Sequence, residues 1–171
     1  MSHRMSPGRL SALLLLVPLL LVPPTAAAQA ESAGKACRSL IVGGYVSSIE
    51  NSDGSFASRS LLTFHSDGAL NSVDARQFSG DVDTAFSAQQ GRYRCSGRRT
   101  ATATTLDFGF SGDGDIGRAD YRIVIEPDGS LSGDFTLTIL TPLATCNPFD
   151  AATCSEEASF DFTFTAERMP D

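Results

Sequence analysis

Three phenylalanines at alternate positions, in Phe160-Asp-Phe162-Thr-Phe164-Thr, put an apolar face and a polar face on opposite sides of an extended chain. That period belongs to a half-buried β-strand, whose successive side chains point to opposite faces. It recurs in Phe135-Thr-Leu137-Thr-Ile139 and in Tyr121-Arg-Ile123-Val-Ile125. It recurs again in Leu106-Asp-Phe108-Gly-Phe110, which continues a Thr/Ala run, Thr100 to Thr105, rich in β-branched residues. A helix would need apolar residues at i, i+3 and i+4, and no long segment beyond residue 37 offers them.

The breaks agree with the runs. Asp53-Gly54, Asp67-Gly68, Asp113-Gly114 and Asp128-Gly129 each lie between alternating segments, and both residues of an Asp-Gly pair tolerate positive φ. Ser79-Gly-Asp81 and Cys95-Ser-Gly97 supply further turns. The pattern predicts eight strands, over 39–49, 56–65, 69–78, 84–94, 99–110, 118–126, 131–140 and 157–168. All connections but the last are short, which makes an antiparallel meander. An open meander of that size leaves two bare edges, and closure removes them. The expected fold is therefore all-β, an eight-stranded antiparallel up-and-down (calycin-like) barrel. The alternative is a two-sheet β-sandwich, which usually needs Greek-key crossovers that these short connections do not supply. A barrel of this size is filled by its own side chains or surrounds one small ligand.

The first thirty residues read as an export signal. Met1 to Arg9 is basic, Leu10 to Val22 is apolar, and Ala26-Ala-Ala28 and Ala28-Gln-Ala30 both offer an A-x-A exit. The expected organisation is a secretory signal peptide over 1–30 and a single β-barrel domain over 31–171, the cleaved chain beginning at Gln29 or Glu31. Pro18 interrupts the apolar run, which is short for a membrane span. No later stretch is apolar enough to cross a membrane, so a secreted or periplasmic protein is expected. The whole chain carries a net charge of −7, and its first thirty residues hold two Arg and no acid. An acidic chain repels phosphate backbones, which argues against nucleic-acid partners.

Export changes the reading of the four cysteines, since outside the cytosol an even count means disulfides. Four cysteines allow three pairings. Cys146 and Cys154 bracket a turn-rich stretch, Cys146-Asn-Pro-Phe-Asp-Ala-Ala-Thr-Cys154, where a local staple is natural. That leaves Cys37 to pair with Cys95 across a much longer loop. A zinc site would need closely spaced ligands, but there is no C-x-x-C, and His65, the one histidine beyond the signal, has no nearby cysteine. No cofactor or metal is expected.

The order of these residues resembles a group of small secreted bacterial proteins of unknown function. Cys37 precedes Gly44-Tyr45; then come Leu61-Leu-Thr-Phe64-His-Ser-Asp-Gly68 and Gly91-Arg-Tyr93-Arg-Cys95-Ser-Gly97, leading into the Thr-rich strand. The group runs Cys, G-x-Y, L-x-F-D-x-D-G, then G-x-Y-x-V-x-x-D-C-x-G. The likeness extends from Cys37 to about Arg168. It implies a barrel like those of lipocalins and allene oxide cyclases, and a Cys37–Cys95 disulfide. This chain differs in placing one residue between Tyr93 and Cys95, and in carrying the Cys146–Cys154 loop. With no Trp, it has no lipocalin G-x-W signature.

The candidate functional residues are aromatic and basic. Tyr45, Phe64, Tyr93, Phe108, Tyr121, Phe135 and Phe162 either line a ligand cavity or fill the core. Arg92, Arg94, Arg98 and Arg99 gather beside Tyr93, as an anion-binding patch or as a solvated hairpin tip. Nucleophilic catalysis would need a Ser or Cys with a positioned His, and His65 beside the Asp67-Gly68 turn reads as solvated. Most Asp residues stand in turns, where the side chain caps its own backbone. Asp113-Gly-Asp115-Ile-Gly117 and Asn51-Ser-Asp53-Gly54 hint at calcium loops without completing one. The residues therefore lean away from enzymatic chemistry. They favour a barrel that binds a small apolar molecule, then a filled barrel serving a structural or surface-interaction role, and last a cyclase-type enzyme.

Overall fold

The computed structural model describes residues 26–78, 85–110 and 114–170. A helix, α1 (Ala26–Ile41), precedes eight strands: β1 (Gly43–Asn51), β2 (Phe56–Phe64), β3 (Ala69–Asp74), β4 (Gln89–Cys95), β5 (Thr100–Phe108), β6 (Ile116–Ile125), β7 (Leu131–Thr141) and β8 (Ser155–Arg168). Each strand pairs antiparallel with the next, and β8 returns to β1, closing the barrel in sequence order. The up-and-down barrel is thus present and the sandwich is not. Residues 1–25 of the expected signal peptide, the expected turn Ser79-Gly-Asp81 and Asp113 lie outside the described residues.

Alternation decides what faces inward. On β5, Ala101, Ala103, Thr105 and Asp107 are buried; on β6, Ala119, Tyr121, Ile123 and Ile125 are. Gly91 lets β4 and β5 approach closely: a Cβ there would stand 1.9 Å from the Thr104 carbonyl oxygen.

Three hairpins share one turn. In Asn51–Ser55, His65–Ala69 and Glu126–Ser130, the glycine N–H donates to the first residue's carbonyl, at 2.9, 3.1 and 3.0 Å, and the first residue's N–H donates to the last carbonyl. Gly54, Gly68 and Gly129 have positive φ, and no non-glycine residue does among those described. The aspartate before each glycine stays in an ordinary conformation, so of the two residues that tolerate positive φ only the glycine adopts it. Its carboxylate instead accepts the N–H two residues on, at 2.9 Å in all three turns. The Ser55 and Ser130 hydroxyls, donating at 2.6 and 2.7 Å, are the chief cause that holds the carboxyls of Asp53 and Asp128 below their ordinary range, with the N–H bonds adding to it, and the Ala69 N–H is the chief cause that lowers Asp67.

Two expectations fail. Residues 39–41 end a helix rather than open a strand. The Ala-rich stretch from Ala26 to Ala36 favours helix, and Cys37 and Ile41, one turn apart, are fully buried against the barrel. The Cys37–Cys95 disulfide, with Cα atoms 5.9 Å apart, ties the helix to the end of β4. The β3–β4 connection, expected to be short, runs over residues 75–88 and opens with a 3-10 turn at Ala75–Phe78. The Cys146–Cys154 disulfide closes the loop between β7 and β8, as expected.

Helix α1 seals one end of the barrel. Tyr45 Oη donates to the Ile41 carbonyl at 3.0 Å, and Arg168 donates to the Val42 carbonyl at 2.9 Å, to Tyr45 Oη at 2.7 Å and to the Leu40 carbonyl. A guanidinium at a helix C-terminus meets the unpaired carbonyls and the negative end of the dipole. The connections at that end, 65–68, 96–99 and 126–130, are tight. The opposite end carries residues 52–55 and the longer connections 75–88, 109–115 and 142–154. Both register shifts, at Ile49/Glu50 and Ile139/Leu140, are at this second end, the mouth.

Candidate functional site

A cavity of about 640 Å³ opens at the mouth, within the range of roughly 300–1,000 Å³ usual for small-molecule sites. Its walls differ in chemistry because different strands supply them. From β7 and β8 come Phe135, Leu137, Phe160 and Phe162, joined by Ile49 of β1. Tyr121, Phe135 and Phe162 form a stack, with ring centroids 4.7 Å and then 5.0 Å apart and planes within 29° and 23°. Facing them, β2, β3 and β4 contribute Ser58, Ser60, Ser72, Asp74 and Gln89. Phe86 and Arg76 stand on the β3–β4 connection.

The polar wall is hydrogen-bonded internally. Ser58 Oγ and the Arg76 N–H both donate to Asp74 Oδ1, at 2.6 and 2.8 Å. Tyr121 Oη and Thr105 Oγ1 donate to Gln89 Oε1 at 3.2 and 3.3 Å, and Gln89 Nε2 donates to Asp107 Oδ2 at 2.9 Å. Burial is the chief cause that pushes the Asp107 carboxyl up to about 6; the nearby Asp115 and Asp74 add to it, and the Gln89 bond and the Gly117 backbone oppose it. Burial likewise raises the Tyr121 hydroxyl. Asp107 has room because the facing residue on β6 is Gly117: a Cβ there would come within 2.4 Å of its carboxylate.

The seven aromatic candidates fall in three places. Tyr121, Phe135 and Phe162 line the cavity. Tyr45, Phe64 and Tyr93 are inside the barrel but below it, buried and packed edge to face at 5.7 and 5.3 Å. Tyr93 Oη also donates to the His65 carbonyl at 2.8 Å, fixing the β2–β3 turn. Phe108 is half exposed on the outer face, and its neighbour Asp107 points inward instead. The register explains the difference. Ala103 pairs with Tyr93 on one side and Tyr121 on the other, so β5 must turn its small residues toward two large rings. That phase puts Phe108 outside.

The four arginines separate too. Arg99 donates to the carbonyls of Ile125 and Glu126, at 3.2 and 2.6 Å, bracing the sealed end. Arg98 is exposed at the hairpin tip. Arg92 and Arg94 line an outer groove of about 630 Å³ that also takes in Arg122, Asp134 and Phe149; Arg92 donates to the Asp67 carbonyl at 2.9 Å. Phe149 reaches that groove because Arg118 holds the 142–154 loop, donating to the Pro148 carbonyl at 2.8 Å and pairing with Asp120 at 2.8 Å.

Sequence reasoning missed the polar wall. The signal was phase: Ser58 and Ser60 alternate in step with Leu62 and Phe64, and Ser72 and Asp74 in step with Leu70. Small polar residues are normally assigned to solvent, and here they face a lumen. His65 is exposed at the sealed end, remote from the cavity. No helix among the described residues is long and apolar enough to cross a membrane. No protein-family model, curated protein or solved structure matches the chain, so the likeness to secreted bacterial barrel proteins stays a resemblance of residues.

Proposed function

We propose that this is an exported binding protein, akin to the secreted bacterial barrels it resembles, which takes a small, largely apolar molecule into the mouth of its barrel. The observation that carries the reading is the cavity of about 640 Å³ with one continuous aromatic and aliphatic wall. A barrel serving only as a scaffold gains from filling that space, since a lined void forfeits contacts on every side. Export is supported by two disulfides and by the sequence of residues 1–30. Cleavage before Glu31 would leave Cys37, Leu40 and Ile41 in place and set an acid at the helix start, where the dipole favours it.

The test is uptake of a neutral hydrophobic fluorescent probe, followed by native mass spectrometry. One probe per chain is expected. Leu137→Trp, which fills the mouth, should abolish uptake with the fold retained by circular dichroism. A folded protein that takes up no probe overturns the reading.

A further inference from the structure

We infer that the lumen prefers amphipathic organic cations, a protonated amine on an apolar body, over carboxylated amphiphiles of the same size. The inference rests on the binding function proposed above and names the ligand class of that site.

The argument is an accounting of protons and charge on the polar wall. Ser58 Oγ is spent on Asp74, Ser47 and Ser60 share a 2.6 Å hydroxyl bond, and Thr105 and Tyr121 donate to Gln89. Gln89 in turn spends its amide on Asp107. The donors thus point within the wall, toward acceptors, and the charge they converge on is negative: Asp74 on the cavity surface and Asp107 one layer behind Gln89. Among the described lining residues the one cation, Arg76, is exposed to water at the rim. The chain's single lysine, Lys35, lies on α1 at the other end.

A carboxylate entering this space meets the Asp74 carboxylate, with Asp107 one layer behind it, and hydroxyls that, Ser72 apart, are already committed. An ammonium meets the Asp74 carboxylate on one side. On the other it meets Phe162, the end ring of the stack, by the face that Phe135 does not cover, and the quadrupole of that ring attracts cations. Its apolar body then lies along Leu137, Ile49 and Phe160.

The experiment is displacement of the neutral probe from the folded protein by dodecylamine, dodecanol and dodecanoate, each below its aggregation concentration. Dodecylamine should compete at least about tenfold more tightly than dodecanoate at pH 7.5, with dodecanol between them. Asp74→Asn should cut that ratio to within about threefold and leave dodecanol unchanged. Asp128→Asn, which removes the same charge at the sealed end, should leave the ratio as it was. The advantage of dodecylamine over dodecanol, neither of which changes charge in this range, should also shrink between pH 7.5 and pH 5. Over that range Asp107, faced by Asp74 of β3, Asp115 of the β5–β6 connection, Gln89 of β4 and Tyr121 of β6, takes up its proton. Equal competition by the three compounds overturns the inference and leaves the binding function standing. A preference for dodecanoate that Arg76→Gln removes overturns it in favour of anion capture at the rim. Failure of the probe and all three compounds to bind overturns both.

Discussion

At the α1 end of the barrel, aromatic rings meet edge to face; at the mouth, they stack. Tyr45, Phe64 and Tyr93 cross at 90° and 78°, which fills space in three dimensions. Tyr121, Phe135 and Phe162 lie within 29° of parallel from ring to ring, which leaves a flat wall with open volume beside it. The connections follow the same division. Tight turns, a disulfide and a helix close the first end, while three longer connections and both register shifts sit at the second. One end stores stability and the other carries the space that the proposed binding would use.

That division makes distinct predictions. The largest effect is expected from shaving a ring at each end. Phe64→Ala, at a fully buried site, should cost about 3–5 kcal/mol in chemical denaturation. Phe162→Ala, at a half-buried site on the cavity wall, should cost under about 2 kcal/mol while weakening probe uptake. Equal losses would mean that the mouth is packed as tightly as the seal.

The disulfides sharpen the contrast. Replacing Cys37 and Cys95 by Ser opens a loop of 58 residues, against 8 for Cys146 and Cys154. On chain entropy the first pair contributes about 4 kcal/mol and the second about 2.5 kcal/mol. The Cys37/Cys95 variant should therefore melt lower, and a reversed order in calorimetry would break the assignment of stability to the α1 end.

Protonation separates the buried acid of the mouth from the acids of the turns. The folded value of Asp107 lies above its ordinary range, so its contribution to stability improves as pH falls from about 6 toward 4, and is least favourable above 6. Asp107→Asn should accordingly gain about 1–2 kcal/mol at pH 8 and nothing at pH 4. Asp53, Asp67 and Asp128 have lowered values, and their contribution is present above the ordinary carboxylate range and lost as pH falls through the folded value. In denaturation at several pH values, Asp67→Ala should cost stability near neutrality and little in acid.

The smallest effect is expected at Arg168, which is exposed. Arg168→Gln should lower stability by about 1 kcal/mol or less. Amide hydrogen exchange should quicken in α1 and not at the mouth.

Much of this was legible in the sequence, for one reason: a period of two is a local property. Phe160, Phe162 and Phe164 reveal a strand without reference to any partner, and the Asp-Gly pairs at 53–54, 67–68 and 128–129 mark turns by their own conformational freedom. The two disulfides were legible once the reading of residues 1–30 as an export signal removed the reducing alternative. What stayed hidden depended on neighbours. The phase of β5, with Asp107 in and Phe108 out, is set by Tyr93 and Tyr121 on the flanking strands. The inward serines of β2 and β3 look like solvent-facing residues until the sheet closes around them.

By itself, then, the chain specified how many strands it makes, where it turns and which cysteines meet, because alternation, glycine and spacing act within a few residues or through one covalent bond. Only the closed barrel decided that residues 26–41 become a lid, that one set of rings packs and another lines a space, and that one carboxyl faces a lumen while a second lies buried behind Gln89. Those outcomes come from side chains brought together across strands, where the room left by Ala103 or Gly117 determines what a distant residue can do.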